Sequence, residues 1–369
     1  MRKLIFIFCI CVLDLIGASV YGQAEKQFAV VAYYAGKNPL QLDSFATDKL
    51  THIIFSFCHL KGARLNVDSL KDTVMIQKMV SLKKSNPGLK VMLSLGGWGG
   101  CATCSDVFST KENRKIFSKS VKELSEYFGS DGIDLDWEYP TISGFPGHKN
   151  QPQDKENFTK LVKQLRKTLG KNKVISFAAG GFNHYIDEAV DWKKVMKKVN
   201  FVNLMTYDLV SGFATTTGHH TPLFSTGQQK ESIDNAVQRL VQLKVPKEKM
   251  VIGAAFYGRM WEAVADTNTG LYQQGKFKKG IAFKNFTSQL SADSGFVYHW
   301  DEEAMAPYSY NPSQQLFATY DDKRSIELKT KYAVDKGLGG IMFWQLAEDE
   351  FTDGLLDAID KAKLKYFNQ

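Results

Sequence analysis

Apolar, β-rich runs recur along the whole chain, and this recurrence constrains the fold more than any other feature. Eight runs share a near-continuous hydrophobic character; they are FAVVAYYAG (28–36), LTHIIFSFC (50–58), LKVMLSLGGW (89–98), DGIDLDW (131–137), VISFAAGGF (174–182), VNFVNLMTYD (199–208), MVIGAAFYG (250–258) and GLGGIMFWQL (337–346). Most are separated by segments with helical periodicity. Such alternation predicts a parallel sheet covered by helices, and eight repeats favour a closed barrel.

One of the intervening segments shows the helical pattern clearly. Segment 110–128 places a set of apolar side chains on one face; they are Ile116, Phe117, Val121, Leu124 and Phe128. Ser109 and Glu112 have the spacing of a capping box, and Gly129 is suited to end a helix. The segment therefore predicts a helix packed against the sheet.

A doubly wound open sheet is the alternative arrangement of such units. That fold often carries the nucleotide-binding fingerprint G-x-G-x-x-G, and the glycine-rich stretch SLGGWGG (94–100) lacks this spacing. The predicted fold is therefore an α/β protein with a (β/α)8 TIM barrel.

The interval before the eighth run breaks the regular spacing. About 75 residues separate Trp261 from Gly337, about twice what a helix and two loops require. The interval is rich in aromatic and β-forming residues. We expect a small α+β insertion at about 262–322, between strand seven and helix seven of the barrel.

The N-terminal residues have the layout of a secretory signal peptide. Residues 1–22 begin with two basic residues, continue as an apolar run and end in small residues. Asp14 interrupts the apolar run, which disfavours a membrane anchor. We expect cleavage near Gly22 and a mature chain, 23–369, that is secreted, or periplasmic in a Gram-negative cell, without stable membrane association.

The basic charge does not indicate a nucleic-acid-binding protein. The formal net charge is +8, but Lys and Arg are spread over amphipathic segments such as 111–129. An arginine-rich tract interleaved with aromatic residues is not seen, so the charges are interpreted as solvated helix faces.

The cysteines leave two possibilities open. Cys101 and Cys104, in GGCATCS (99–105), form either a short local disulfide or two free thiols, and Cys58 lies in an apolar run. A zinc site would need a second pair of ligands at suitable spacing, and none is found. We therefore predict no metal.

The stretch DGIDLDWEYP (131–140) carries four carboxylates within a hydrophobic strand. Alternation puts Asp134, Asp136 and Glu138 on one face, pointing into the barrel, with Glu138 nearest the carboxyl end of the strand. Carboxylates this close cannot all ionise freely, so at least one should hold a proton near neutral pH. A protonated Glu138 is a general acid, which cleavage of a glycosidic bond requires.

The alternative readings of these acids are weaker. These acids would then form solvated salt bridges at an exposed strand end or bind Ca²⁺, but D-x-D-x-E on one strand lacks the glycine turn and the spread of oxygen donors of a calcium loop. Polar and aromatic residues also end three other runs: Met205, Tyr207 and Asp208; Tyr257 and Arg259; and Trp344. Several such residues at one end of a barrel favour a carbohydrate site over core packing.

These motifs resemble glycoside hydrolase family 18. DGIDLDWE matches the family signature D-x-x-D-x-D-x-E, and SLGGW matches its strand-three motif. NLMTYD, AAFYGR, WDEEAMAPYSY, TYDD and GIMFWQL follow in the expected order, so the resemblance covers almost the whole mature chain, 23–369. It is similar to bacterial chitinases with an α+β insertion domain.

The resemblance implies a role for each matching residue. Glu138 would protonate the leaving oxygen and later activate water, Asp136 would orient the 2-acetamido group of the substrate, and Asp134 would share a proton with Asp136. Tyr207 would bind the acetamido carbonyl. The other implied substrate contacts are Trp344, Met205, Asp208, Tyr257, Arg259, Tyr33, Trp98 and Trp137. Implied structural positions of the motifs are Asp131, Gly132, Gly96 and Gly97.

The predicted function is thus a secreted, monomeric chitinase that hydrolyses β-1,4-linked N-acetylglucosamine with retention, without a cofactor. Its partners would be chitin or N-acetylglucosamine oligosaccharides. A chitinase-like lectin is disfavoured because Glu138 is present. An endo-β-N-acetylglucosaminidase acting on N-glycans is disfavoured by the predicted insertion and by Trp344.

Overall fold

The computed structural model describes residues 28–367, so the predicted signal peptide, 1–22, lies outside the described residues. The strands of this part of the chain are β1 (Ala29–Tyr34), β2 (His52–Lys61), β3 (Arg64–Asn66), β4 (Lys90–Gly96), β5 (Gly132–Asp136), β6 (Val174–Gly180), β7 (Phe201–Met205), β8 (Met250–Ala255), β9 (Tyr257–Glu262), β10 (Lys276–Ala282), β11 (Val297–Asp301), β12 (Ala306–Asn311), β13 (Leu316–Thr319) and β14 (Gly340–Trp344). The helices are α1 (Leu70–Ser81), α2 (Cys104–Val107), α3 (Lys111–Phe128), α4 (Asp154–Leu169), α5 (Asn183–Glu188), α6 (Trp192–Val195), α7 (Ile233–Gln242), α8 (Phe286–Gln289), α9 (Lys323–Asp335) and α10 (Leu355–Tyr366).

Eight parallel strands close into a barrel. Their order is β1-β14-β8-β7-β6-β5-β4-β2, and β2 pairs with β1 to complete the ring, while β3 forms a hairpin with β2. Seven of the eight barrel strands lie within the apolar runs, and β2 begins in its run and continues three residues beyond it, to Lys61. The predicted (β/α)8 barrel is confirmed.

The barrel strands bury side chains on both faces. Ile133 and Leu135 of β5 point outward and belong to the same core layer as Phe117 of α3 and Phe158 of α4. A smaller layer fills the inside of the barrel and includes Met92 of β4. Burial on both faces explains why these strands read as continuous hydrophobic runs.

A second, antiparallel sheet follows β8. Its five strands have the order β10-β9-β13-β12-β11. This second sheet begins at Tyr257, whereas the insertion was expected to begin at about residue 262. The reason is that β8 ends at Ala255 and the next strand, β9, pairs with β10 and β13 instead of with a barrel strand. The sequence hides this exchange of partners, since the β-forming pattern runs across both strands with only Phe256 between them.

Helix α3 differs in detail from its prediction. Thr110, not Ser109, is the N-cap, and its hydroxyl accepts a hydrogen bond from the backbone N–H of Asn113. Ile116 is 42% exposed, although the predicted face included it. Gly129 ends the helix in the left-handed conformation, as expected.

A search of residues 28–367 finds no helix whose length and apolar character would let it cross a membrane.

Candidate active site

Asp134 and Asp136 of β5 and Glu138, which follows the strand, form an acidic column that rises from the barrel interior to its mouth. Exposure increases from 0% at Asp134 to 4% at Asp136 and 9% at Glu138, which follows the strand. This is the one-face arrangement that the D-x-D-x-E spacing predicts. Only the upper end of the column can meet a ligand.

Two glycines allow the strands around the column to approach closely. A Cβ atom at Gly132 would lie 2.0 Å from the carbonyl oxygen of Val174 in β6. A Cβ atom at Gly96 would lie 2.1 Å from the carbonyl oxygen of Asp136, to which the Gly97 N–H donates a hydrogen bond of 2.9 Å. Any larger residue at either position would push a strand away from the acidic column.

Asp134 is enclosed by hydrogen-bond donors. The hydroxyls of Tyr33, Ser94 and Ser176 donate to its carboxylate at 3.0, 3.0 and 2.5 Å, and the amide of Asn203 donates at 3.3 Å. Burial raises the pKa of Asp134, although these hydrogen bonds oppose the rise. Asp134 therefore has a fixed orientation beneath the reactive part of the column.

Asp136 lies one step higher and keeps one oxygen free. Its Oδ1 is buried and has no hydrogen-bond partner among the described residues. Burial raises the pKa of Asp136 well above its usual value, and the neighbouring charges of Glu138 and Asp134 raise it further. A buried free acceptor of this kind is costly unless a ligand supplies a donor.

Glu138 at the top of the column is poised to carry a proton. Burial raises its pKa to about 7; the negative charge of Asp208 contributes to the rise and the Tyr139 hydroxyl opposes it. Residues 28–367 offer it no cation within salt-bridge distance. Its carboxyl group can therefore both donate and accept a proton near neutral pH.

Asp208 is held by an arginine from the second sheet. The guanidinium of Arg259 on β9 donates to both carboxylate oxygens, from Nη2 at 2.5 Å and from Nε. His220 Nδ1 lies 3.5 Å from the same carboxylate. Burial favours a higher pKa for Asp208, but His220 and Arg259 outweigh it, so that the pKa of Asp208 lies well below its usual value.

A cavity of about 1050 Å³ opens above these carboxylates. Trp344 forms part of its lining and stacks on Phe57, with ring centroids 5.5 Å apart and planes 10° from parallel. Trp98 lines it from the loop after β4 and is 48% exposed. The residues predicted from sequence that line it are Asp136, Glu138, Tyr207, Met205, Asp208, Tyr257, Arg259, Trp98 and Trp344.

Two predicted contacts lie outside the cavity. Trp137 is 3% exposed and packs towards the helices, with its ring centroid 5.7 Å from that of Phe108 and 6.3 Å from that of Phe158. Tyr33 lies beneath the cavity, where its hydroxyl donates to Asp134. The prediction of a substrate contact is wrong for Trp137, because strand alternation turns it away, and Tyr33 supports a carboxylate instead of lining the cleft.

The remaining motif residues have structural positions. Asp131 lies at the opposite end of β5, where Lys83 forms a 2.5 Å ion pair with its carboxylate and the Val91 N–H donates to it at 2.7 Å. Cys101 and Cys104 form a disulfide in the loop that follows Trp98, which decides between the two options left open by the sequence.

Several cleft residues were missed by the sequence analysis; they are Phe57, Tyr139, Phe182, Phe213, Glu231, Phe277 and Glu348. Phe182 ends the run 174–182, so the rule that strand ends form the site would have found it, whereas Phe57 lies within β2. Phe213 and Glu231 lie in the long connection after β7, which has no periodic pattern. Their position depends on how that loop folds back over the barrel.

The described residues contain no group of three or more His, Cys, Asp or Glu side chains that could hold a metal ion.

Comparisons with known proteins agree with this geometry. The family model for glycosyl hydrolases family 18 matches residues 29–349. Chitinase A1 of Niallia circulans is 33% identical over 298 residues, which cover 74% of this chain and 42% of that protein. Chitotriosidase-1 of Mus musculus is 32% identical over 323 residues, covering 82% of this chain and 67% of that protein. A solved structure of a glycoside hydrolase family 18 N-acetylglucosaminidase from Paenibacillus barengoltzii is 36% identical, with a TM-score of 0.83, and the match covers 91% of this chain and 100% of that one.

Proposed function

Because the chain belongs to glycosyl hydrolase family 18, we propose that it hydrolyses β-1,4 linkages between N-acetylglucosamine units, as in chitin and its oligosaccharides. The observation that carries the proposal is the buried Glu138 carboxyl, with a pKa raised to about 7, at the floor of a large aromatic-lined cleft. A carboxylic acid that retains its proton near neutral pH is what glycosidic bond cleavage needs. The relatives named as chitinases support the choice of substrate.

In the first step Glu138 donates its proton to the glycosidic oxygen, and the bond from that oxygen to the anomeric carbon breaks. The carbonyl oxygen of the substrate's own 2-acetamido group attacks the same carbon and forms an oxazolinium ion. No protein nucleophile is required. In the second step the Glu138 carboxylate takes a proton from water, whose oxygen attacks the anomeric carbon and releases the acetamido oxygen, so the configuration is retained.

The residues around Glu138 can bind the substrate's 2-acetamido group while its carbonyl oxygen attacks the anomeric carbon. Asp136 Oδ1 has no partner within residues 28–367 and can accept the acetamido N–H, which stabilises the positive charge of the oxazolinium. Among the described residues the Tyr207 hydroxyl has only the sulfur of Met342, at 3.8 Å, as a partner, and it can donate to the acetamido carbonyl. Asp134, fixed by its donors, acts on Asp136 from below through its negative charge, which helps to raise the pKa of Asp136.

The aromatic lining provides the surfaces on which sugar rings stack. Trp344 would carry the sugar at the cleaved bond, and Trp98 would carry another sugar of the chain, with the Phe213 ring centroid 6.2 Å from that of Trp98. Sugar C–H faces pack on such rings, while hydroxyl groups need directed polar partners such as Asp208 and Arg259.

We further propose that the protein acts outside the cytoplasm as a monomer. The signal-peptide pattern of residues 1–22 and the Cys101–Cys104 disulfide support an oxidising compartment.

Product analysis tests the proposal. Residues 23–369 are incubated with N-acetylglucosamine tetramers and hexamers and, separately, with a high-mannose N-glycan. Shortening of the oligomers supports the proposal, and release of single N-acetylglucosamine units as the first product would indicate an N-acetylglucosaminidase, like the relative from Paenibacillus barengoltzii. Cleavage of the N-glycan alone, or binding of oligomers without cleavage, would contradict it in favour of an endo-β-N-acetylglucosaminidase or a lectin.

A further inference from the structure

His220 is a buried group that the mechanism above does not use. It lies in the connection between β7 and α7, and its residue exposure is 0%. Neither ring nitrogen has a hydrogen-bond partner among the described residues. Burying a polar imidazole in this state costs free energy, so its position calls for a compensating role.

The backbone holds this histidine firmly against the site. Its N–H donates to Thr319 Oγ1 on β13 at 3.2 Å, and its carbonyl accepts from the Leu209 N–H at 3.0 Å. Leu209 follows Asp208 directly. His220 thus connects the loop that carries Asp208 to the second sheet, which supplies Arg259.

The imidazole faces Asp208. Nδ1 lies 3.5 Å from Asp208 Oδ1, and the ring packs against Tyr257 with centroids 5.2 Å apart. The other charged groups that act on the ring are Arg259 on β9 and Asp321 after β13. Among these, Asp208 is the acceptor that a small closing movement would bring into hydrogen-bond range, since contacts in unliganded sites often tighten when substrate binds.

We propose that His220 is a positioning residue for the hydrolytic reaction: as a neutral imidazole protonated on Nδ1, it donates to Asp208 and fixes the carboxylate that faces the general acid. This inference rests on the proposed function for its catalytic consequence. Burial lowers the pKa of His220, although Asp208 opposes the change, which favours the neutral ring in the working range. The negative charge of Asp208 in turn helps to raise the pKa of Glu138.

The tautomer of His220 tests the proposal without any substrate. The chain has 7 histidines, so ¹⁵N NMR of histidine-labelled protein resolves them, and the spectrum of His220→Asn assigns the signal. The expected result at pH 7 is a neutral ring protonated on Nδ1. A ring protonated on Nε2 alone would overturn the proposal, because Nδ1 would then present a lone pair to a carboxylate.

Two substitutions separate positioning from packing. His220→Phe keeps a ring but loses the donor, whereas His220→Asn loses the ring but keeps an amide N–H near the place of Nδ1. On chito-oligomers we expect kcat/KM to fall about tenfold in His220→Phe and to stay within about threefold in His220→Asn, as for removal of one hydrogen bond to a charged group. In His220→Phe alone, the alkaline limb of the pH profile should move to higher pH. Asp208 then has one donor fewer, so its negative charge raises the pKa of Glu138 more strongly.

The opposite ranking of the two variants, or an unchanged alkaline limb in a folded His220→Phe, would overturn the proposal. Failure of the wild type to cleave any oligomer would instead contradict the proposed function, and the tautomer would still decide the role of His220.

Discussion

The two ends of β5 carry the same kind of side chain in opposite environments. At the lower end, Asp131 has a cationic partner in Lys83 and a backbone donor in Val91. At the upper end, Glu138 is buried and has no cation within salt-bridge distance in the described part of the chain, where Arg259 is engaged by Asp208. The comparison teaches that a carboxylate paired with a cation serves the fold, whereas one buried without a cation retains a proton that can be transferred.

Removing the upper carboxyl should have the largest effect. Glu138→Gln keeps the size and hydrogen-bonding capacity of the side chain but can no longer exchange a proton with substrate. We expect kcat to fall by about 10²–10⁴, the range attributed to general acid–base catalysis, with oligomer binding retained. Turnover and calorimetric binding, measured on the same folded sample, check this, and a variant with near-normal turnover would refute the assignment.

Substituting the middle carboxylate should cost somewhat less. In Asp136→Asn the acetamido group loses its charge partner, while Glu138 can still protonate the leaving group. A fall in kcat of about 10²-fold is expected, consistent with loss of electrostatic stabilisation of a developing charge. Steady-state kinetics on the hexamer measures it. Unimpaired hydrolysis by this variant would mean that the substrate does not assist its own cleavage.

The pH dependence should expose the raised pKa of Glu138. Activity should decline as the pH rises through about 7, because the acid form of Glu138 is then lost. The same pKa lies above that of an unfolded glutamate, so the folded state binds the proton more tightly and loses stability between about pH 4.5 and 7. The difference in unfolding free energy between Glu138→Gln and the wild type should therefore be about 1–3 kcal/mol more favourable to the variant at pH 8 than at pH 4.

Kinetic pH profiles and denaturant unfolding at the two pH values check these effects. An activity plateau that extends beyond pH 9, or an equal stability change at pH 4 and pH 8, would contradict the burial argument.

Substituting the lower carboxylate should have the smallest effect on turnover. Asp131→Asn weakens the pair with Lys83, whose side chain is 26% exposed, so solvent already screens much of the interaction. We expect a loss of about 1 kcal/mol in stability and less than about threefold in kcat. Melting temperature and turnover are the two readouts, and a loss of activity comparable to that of Glu138→Gln would abolish the contrast between the two ends of the strand.

The parts of the molecule that follow a simple period were predictable from sequence. All eight barrel strands and the one-face acidic column come from strand burial and alternation, which depend on local pattern alone. The match of the family model to 29–349 confirms the family that the motifs suggested.

The sequence-based predictions fail where contacts between distant segments of the chain determine the structure. The predicted sugar contact of Trp137 is wrong because the alternation that directs Glu138 inward directs this ring outward. After Ala255 the chain stops pairing with barrel strands and pairs with β10 and β13, and the β-forming pattern of the sequence does not change at this point. His220 and Phe213 lie in a loop without periodicity, so the proximity of His220 to Asp208 and of Phe213 to Trp98 depends on how this loop folds back over the barrel.

The most direct test of the central claim is the anomeric configuration of the first products. Proton NMR follows hexamer hydrolysis by the wild type and by Glu138→Gln, before mutarotation mixes the anomers. The account predicts that the wild type first releases β-anomers and that Glu138→Gln releases almost nothing. Initial α-anomers, or β-anomers formed at comparable rates by both proteins, would contradict it.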